Sequence, residues 1–207
     1  MKKPPAKIIK IYLVRHGELA NPQKIIYGFL PLPLTPRGRT QAKKAGLFFK
    51  DKDIKAIFSS PQRRCQETAK IISQAISKGR IRVETQKNLR ESSLGHFAEG
   101  LTMRQAKEKY PKIFRHYRFK PASVNAGGEN LAKMADRVLK TVRASVKKYP
   151  GQNLVFVSHR DPILATLLKI SGRSLNDLHK VKGICGFGAV YELNLLGKKL
   201  VNKTYLS

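Results

Sequence analysis

Two of the five histidines in the sequence follow apolar stretches, and an arginine precedes the first of them. Arg15-His16 ends the apolar run of residues 8–14, and His159 comes two residues after the apolar run of residues 154–157. An imidazole can attack a phosphoryl group, and a planar guanidinium binds phosphate oxygens. A lone histidine after a buried strand is usually structural, but this combination of residue types predicts phosphoryl-transfer chemistry.

A second candidate segment carries two arginines at the start of a predicted helix. Ser60-Pro61 is a favourable helix start, and Arg63 and Arg64 then fall in the first turn. The free N–H groups and the dipole of a helix N-terminus attract anions. One of these arginines could therefore reach a phosphate, although two exposed arginines are the plainer interpretation.

Hydrolysis of a phosphate ester also needs a general acid that protonates the leaving oxygen. Glu91 stands at the start of the loop LRESSLGHFAEG, and Glu99 is a competing carboxylate in the same loop. A carboxyl group with a raised pKa serves as such an acid. Either side chain alone could be a solvated surface group, so both remain candidates at this point.

The elements that must position these residues alternate between strands and helices. Hydrophobic patterns predict strands over residues 8–14, 56–59, 81–84, 154–157, 189–195 and 200–206, the last two joined at Gly197. Helices are predicted over residues 35–49, 102–110, 129–149 and 161–170, with another from Ser60-Pro61 and irregular chain over residues 111–128. This alternation predicts an α/β fold with a largely parallel central sheet, whose ligands bind at the carboxyl ends of the strands.

The charge of the chain is extreme. Its 42 Lys and Arg residues outnumber 13 Asp and Glu, which gives a formal net charge of +29. Such a field attracts polyanions and speeds the encounter with anionic substrates. Basic residues nevertheless occur in nearly every segment, with no run of five or more like charges, a pattern that also fits solvated surfaces.

Length and composition exclude several classes of protein. The 207 residues favour a single domain over residues 1–207, with a basic tail at residues 1–7. Cys65 and Cys185 form no CxxC pair, which argues against a disulfide scaffold or a thiol zinc site and for a reducing, cytoplasmic location. No apolar run reaches the roughly 18 residues of a membrane span, so we expect no membrane partner.

Six motifs occur in order along the chain: LVRHGE, LPLTPRGRTQA, SSPQRRCQETA, the LRES..G...EG loop, GGE at residues 127–129 and VSH at residues 157–159. Together they resemble the histidine phosphatase superfamily, the phosphoglycerate-mutase-like proteins, over about residues 11–168. The resemblance implies a three-layer α/β sandwich of the phosphoglycerate-mutase-like kind. It also implies phosphatase or mutase activity without a metal or organic cofactor.

The resemblance implies a role for each candidate residue. His16 would be the nucleophile that becomes phosphohistidine, and Arg15, Arg64 and His159 would bind the phosphoryl group. Arg64 is preferred to its neighbour because the arginine of the family stands four residues before a Thr-Ala pair, as Arg64 does here. Glu91 would protonate the leaving group and then activate water.

Other positions around the motifs are less regular. Gly17 would let the backbone approach the ligand. The family often has glycine after the distal histidine, where this chain has Arg160, either a further substrate contact or a partner of Asp161. The family often has asparagine seven residues after the motif arginine, where this chain has Pro22. The resemblance therefore does not carry over to Asn21, one residue earlier, as a substrate contact.

The sequence thus predicts a histidine acid phosphatase-type phosphomonoesterase that acts on a small phosphorylated substrate through a phosphohistidine at His16. Two alternatives stay open. A phosphoglycerate mutase would return the phosphoryl group to its product, but the short segment 101–126 leaves little chain for a lid. A basic nucleic-acid-binding protein with a vestigial site would explain the charge but not the phosphate-binding residues. The chemical identity of the substrate and the oligomeric state stay open.

Overall fold

A central sheet organises the chain. The computed structural model describes residues 8–92, 98–125, 127, 129–181, 185–196 and 199–206. Its strands are β1 (Ile9–Arg15), β2 (Ile54–Ser59), β3 (Val83–Thr85), β4 (Asn153–Ser158), β5 (Val190–Leu196) and β6 (Lys199–Leu206). Within this described part, the strands form one sheet in the order β3-β2-β4-β1-β5-β6. Strands β1 to β4 are parallel, and β5 and β6 add two antiparallel strands at one edge, which confirms the predicted sheet.

Helices cover both faces of the sheet. The α-helices of the described part are α1 (Pro36–Phe48), α2 (Arg63–Ser77), α3 (Met103–Lys109), α4 (Pro111–Phe119), α5 (Leu131–Lys148) and α6 (Arg160–Ile170). Side chains of α1 and α2 pack on one face, and those of α5 and α6 pack on the other. The result is the three-layer α/β sandwich that the resemblance implies.

Strand β1 shows why the sheet lies in the middle. Ile11 and Leu13 belong to the core on one face, while Tyr12 and Val14 belong to the core on the other. All four side chains are fully buried. A strand covered on both faces has no solvated side and therefore reads as a continuous apolar run.

The start of α1 follows its sequence signal and explains a glycine. Thr35 caps the helix, since its Oγ1 accepts a hydrogen bond from the N–H of Gly38 at 2.9 Å. A Cβ atom on Gly17 would lie 2.3 Å from the carbonyl oxygen of Gly38. Gly17 therefore lets the loop after β1 cross the start of α1, a packing role that differs from the ligand approach expected from the sequence.

Helix α2 begins later than the sequence signal suggests. The predicted start at Ser60-Pro61 is wrong, because the cap residue is Gln62 and its side chain makes no capping hydrogen bond. The hydroxyl group of Ser60 instead lies 2.8 Å from His159 Nε2. A tertiary contact thus takes the side chain that the local pattern assigns to the cap.

The prediction of irregular chain over residues 111–128 is also wrong. This segment contains α4 and a short 3-10 helix at Pro121–Ser123. Pro111 occupies the first helical position, and Ile113, Phe114 and Tyr117 form a half-buried face at helical spacing. The prolines begin these helices rather than interrupt them.

Two further expectations concern the chain termini and junctions, and the absence of a membrane span. The basic tail at residues 1–7 and the junction at Gly197 lie outside the described residues. Among the described helices, none combines the length and apolarity that a membrane span requires.

Candidate active site

The parallel pairing of β1 with β4 brings the Arg15-His16 and Ser158-His159 segments together at one sheet edge. Arg15 is opposite Ser158 in the register, and the N–H of His16 donates to the carbonyl oxygen of Ser158 at 3.1 Å. His16 and His159 are the next residues on the two segments, and the centroids of their rings lie 5.2 Å apart. The carboxyl ends of these strands thus carry the predicted candidates, in the place where open α/β sheets bind ligands.

His16 is held in one tautomer. Its Nδ1 lies 2.8 Å from the carbonyl oxygen of Gly17, so Nδ1 carries the proton and donates it to that oxygen. Its Nε2 is buried and has no hydrogen-bond partner among the described residues. Burial, with smaller effects of Arg64 and Arg15, holds the pKa of His16 well below its usual value. The imidazole is therefore neutral and presents a free electron pair on Nε2.

Arg64 is the arginine of α2 that reaches the site. It is fully buried, and its Nη2 donates to the carbonyl oxygen of Gly28 at 2.8 Å and to His159 Nδ1 at 3.1 Å. Its neighbour Arg63 is exposed and pairs with Glu67 at 2.8 Å. The structure thus places Arg64, rather than Arg63, beside His159, which is the choice that the resemblance implies.

Arg15 is held by a segment that sequence reasoning missed. Its Nη1 donates to the carbonyl oxygen of Cys185 at 2.6 Å, and its guanidinium lies 3.9 Å from the ring centroid of Phe187. The Phe187 ring is also 5.7 Å from the His16 ring, centroid to centroid. Arg15 Nε is buried without a partner among the described residues. No charge or motif in this segment signals its role.

His159 is buried between α2 and the loop that follows β2. Arg64 can only donate, so His159 Nδ1 accepts and Nε2 carries the proton. That Nε2 lies 2.8 Å from Ser60 Oγ and 3.1 Å from Gln62 Oε1, both of which can accept. Burial and then the charge of Arg64 hold the pKa of His159 well below its usual value, so this ring is neutral as well.

Among the described residues, Glu91 is the only carboxylate that forms an ion-pair contact with His159. Its Oε2 lies 3.6 Å from His159 Nδ1, and its Oε1 accepts from the N–H of Ser92 at 2.9 Å. Burial raises the pKa of Glu91 to about 7, and the charge of Asp161 adds to the increase, while Arg64 lowers it. Glu91 can therefore both hold and release a proton near neutral pH.

The glutamate of the GGE motif positions Glu91 through an arginine. Glu129 Oε1 and Oε2 accept from Arg137 Nε and Nη2 at 2.6 and 3.0 Å. Arg137 in turn donates to the carbonyl oxygens of Asn88 and Glu91 at 2.5 and 3.2 Å. This buried pair fixes the backbone that carries Glu91, a role that the motif alone does not reveal.

The remaining candidates form hydrogen bonds or ion pairs with neighbouring residues. Glu99 accepts a hydrogen bond from the backbone N–H of Phe29 at 2.8 Å, so it holds a loop. The amide group of Asn21 accepts from and donates to the backbone of Ile25 at 3.1 and 2.8 Å. Arg160 pairs with Asp161 at 3.0 Å and also lines the cavity described next, so it stays a predicted substrate contact.

A cavity of about 330 Å³ opens beside this cluster. Arg15, Glu91, Arg160 and Asp161 are among the residues that line it. His16 and Arg64 are fully buried and are not among its lining residues. Among the described residues, no group of three or more His, Cys, Asp or Glu side chains is placed to hold a metal ion.

Known proteins resemble this chain along most of its length. The family model of the histidine phosphatase superfamily (branch 1) matches residues 11–205. Phosphoglycerate mutase-like protein 4 of Arabidopsis thaliana is 34% identical over 154 residues, which are 72% of this chain and 66% of that protein. Phosphoserine phosphatase 1 of Hydrogenobacter thermophilus is 32% identical over 171 residues, which are 82% of this chain and 79% of that protein.

Solved structures share the fold. The structure of Bacillus stearothermophilus YhfR has a TM-score of 0.82 to this chain at 26% sequence identity, and the match covers 93% of this chain and 94% of that one. The phosphoglycerate-mutase-like architecture implied by the motifs is thereby confirmed. The relatives bear the names of both phosphatases and mutases, so the fold alone does not choose between the two reactions.

Proposed function

On the premise that the chain belongs to the histidine phosphatase superfamily, we propose that it hydrolyses small phosphate monoesters through a phosphohistidine at His16. One observation carries the proposal: His16 Nε2 is buried, neutral and without a partner among the described residues, at the point where Arg15, Arg64, His159 and Glu91 converge. Buried polar atoms are normally hydrogen-bonded. An unpaired ring nitrogen beside two guanidinium groups is therefore a nucleophile aimed at a phosphoryl group.

The first step forms the phosphoenzyme. His16 Nε2 attacks phosphorus in line, the phosphorus–oxygen bond of the ester breaks, and Glu91 gives its proton to the leaving alkoxide. The products are the free alcohol and phosphohistidine, with Glu91 as the carboxylate. The carbonyl oxygen of Gly17, 2.8 Å from Nδ1, accepts a hydrogen bond from the Nδ1–H group and stabilises the positive charge that develops on the imidazole.

Charge on the phosphoryl oxygens is met by Arg15, Arg64 and His159. Arg64 exchanges its present partners, among them the Gly28 carbonyl oxygen at 2.8 Å, for phosphoryl oxygens. A phosphoryl dianion beside His159 favours the protonated ring, so that Nδ1 can also donate. Positioning and charge stabilisation of this kind account for most of the catalysis of phosphoryl transfer, and the arginines provide it without a metal ion.

The second step returns the enzyme to its starting state. The Glu91 carboxylate takes a proton from water, the water oxygen bonds to phosphorus, and the phosphorus–nitrogen bond breaks. The electron pair of that bond returns to His16 Nε2, and inorganic phosphate leaves. A pKa of about 7 allows Glu91 to act as acid in the first step and base in the second.

The choice of phosphatase over mutase rests on the entrance to the site. Residues of α3 and α4 line the cavity, so the segment 101–126 does reach the site and its length does not exclude a lid. The outer side of α4 and its end carry exposed basic side chains: Lys112, Arg115, Arg118 and Lys120. The cavity itself is lined by the exposed Lys24 and by Arg160. A solvated, basic opening admits water and anions, whereas a mutase must keep water from its phosphoenzyme.

The fate of the phosphoryl group tests this proposal directly. The protein is labelled with a radioactive phosphate donor, the donor is removed, and the label is followed with and without phosphoglycerate and with and without EDTA. We expect the label to appear as free phosphate in every arm. A phosphoenzyme that persists until phosphoglycerate is added, and then labels it, would identify a mutase, and loss of all labelling in EDTA would contradict a metal-independent site.

The pH dependence follows from Glu91. Its acid form is needed to protonate an alkoxide, and its pKa is about 7, so kcat/KM for an alkyl phosphate should fall as the pH rises through 7. The pKa of His16 lies well below its usual value, so its protonation adds no acid limb near neutrality. Since the charge of Asp161 helps to raise the pKa of Glu91, Asp161→Asn should move the fall to lower pH.

The matched control for that measurement is Asp136→Asn, which removes an exposed carboxylate of α5 that pairs with Lys169 at 2.6 Å. We expect the control to leave the pH profile in place. A profile that stays unchanged in Asp161→Asn, with the fold intact by circular dichroism, would show that Asp161 does not act on the acid.

A further inference from the structure

The walls of the cavity beside the catalytic cluster are mostly apolar. Its charged and polar lining residues are Arg15, Lys24, Glu91, Ser92, Arg160 and Asp161. The apolar and aromatic lining residues come from the loop before α1 and from α3 and α4. They are Ile25, Ile26, Tyr27, Met103, Phe114 and Tyr117. Three of the six carry aromatic rings, which offer flat surfaces for the stacking or edge contacts of another ring.

Three polar side chains in the same wall, Tyr117, Asp161 and Arg160, are paired with one another. The hydroxyl group of Tyr117 donates to Asp161, and Arg160 Nη1 donates to the other carboxylate oxygen of Asp161 at 3.0 Å. Lys24 is exposed at the rim. A ligand rich in hydroxyl groups would therefore bury oxygens against apolar carbon, and a buried hydroxyl group without a partner is costly.

From this wall we infer that the leaving group of the preferred substrate is an apolar alcohol with an aromatic ring, rather than a sugar or polyol. The inference rests on the proposed function, because it places the phosphoryl group at His16 and the rest of the ester in the cavity. Pockets of about 300–1,000 Å³ hold small ligands, and this one, at about 330 Å³, has room for a single ring and a short linker.

Phe114 is the residue expected to distinguish such a substrate. It faces the cavity from α4, whereas Phe119 on the same helix is 66% exposed and lies outside the cavity wall. Removal of one good contact in an apolar pocket typically changes discrimination by about 10–200-fold. Phe114→Ala should therefore weaken the preference for an aromatic leaving group, and Phe119→Ala is the matched control.

The test compares esters of primary alcohols, so that the leaving groups present similar chemistry. The values of kcat/KM are measured for 2-phenylethyl phosphate, ethyl phosphate, glucose 6-phosphate and phosphoserine. We expect 2-phenylethyl phosphate to exceed each of the others by at least about tenfold. Its ratio to ethyl phosphate should fall about tenfold in Phe114→Ala and stay at the wild-type value in Phe119→Ala.

Each outcome decides between the possibilities. A preference for glucose 6-phosphate would overturn the inference, and a preference for phosphoserine would assign a second anionic group to Lys24 or Arg160 instead. Both results would leave the phosphatase itself intact. Absence of hydrolysis of all four esters and of p-nitrophenyl phosphate would contradict the proposed function rather than the substrate class. Should Phe114→Ala not fold, Phe114→Leu and the wild-type ratios still test the inference.

Discussion

Replacement of His16 by alanine is expected to abolish phosphoenzyme formation and to reduce turnover by at least about 10⁴-fold, the scale on which loss of a nucleophile acts. The nucleophilic atom is Nε2, and the described structure offers no second unpaired imidazole nitrogen in the cluster: both nitrogens of His159 are engaged. Alanine keeps the backbone of the strand end, so the N–H of residue 16 still donates to Ser158. The measurements are p-nitrophenyl phosphate hydrolysis and incorporation of labelled phosphate.

The control for this variant is His116→Ala, which removes an exposed histidine of α4. Circular dichroism and thermal unfolding of both variants separate loss of chemistry from loss of fold. The site of labelling is mapped by peptide analysis, because the rings of His16 and His159 are only 5.2 Å apart. Label on His159 in the wild-type protein would reverse the assignment of nucleophile and phosphate ligand.

The sheet could be predicted from sequence because its strands are buried on both faces and therefore stand out as apolar runs. The parallel pairing of such strands then fixes the site edge, which is why His16 and His159 meet. Helix α4 could not be predicted in the same way. Its half-buried face of Ile113, Phe114 and Tyr117 is short and is flanked by prolines that also signal loops.

The residues of the candidate site also fall into those that the sequence could predict and those that it could not. Residues of the ordered motifs, such as Arg64, could be chosen because the family resemblance assigns a role to their positions. Phe187, Gln62 and Arg137 could not, because each acts through a contact with a residue at least 46 positions away, as Arg137 does with the Glu91 carbonyl oxygen. A sequence pattern reports local periodicity, and these contacts exist only after the sheet has assembled.

The second large effect is expected for Glu91→Gln, and it should depend on the leaving group. An alkoxide is a poor leaving group and needs a proton, whereas a nitrophenolate leaves without one. General acid catalysis is typically worth about 10²–10⁴-fold, so kcat/KM for an alkyl phosphate should fall by that factor while kcat/KM for p-nitrophenyl phosphate changes little. Because kcat/KM reports the steps through formation of the phosphoenzyme, slow hydrolysis of that intermediate does not obscure the comparison.

Glutamine is the appropriate substitution because the pKa of Glu91 is about 7, and the uncharged amide resembles the protonated acid already present near neutrality. The matched control is Glu99→Gln, whose amide oxygen can still accept from the N–H of Phe29 and hold the loop. We expect the control to retain activity on both esters. An equal loss on both esters in Glu91→Gln would mean that Glu91 only shapes the site, since a structural defect cannot distinguish an alkoxide from a nitrophenolate. A leaving-group-dependent loss in Glu99→Gln would instead make Glu99 the acid.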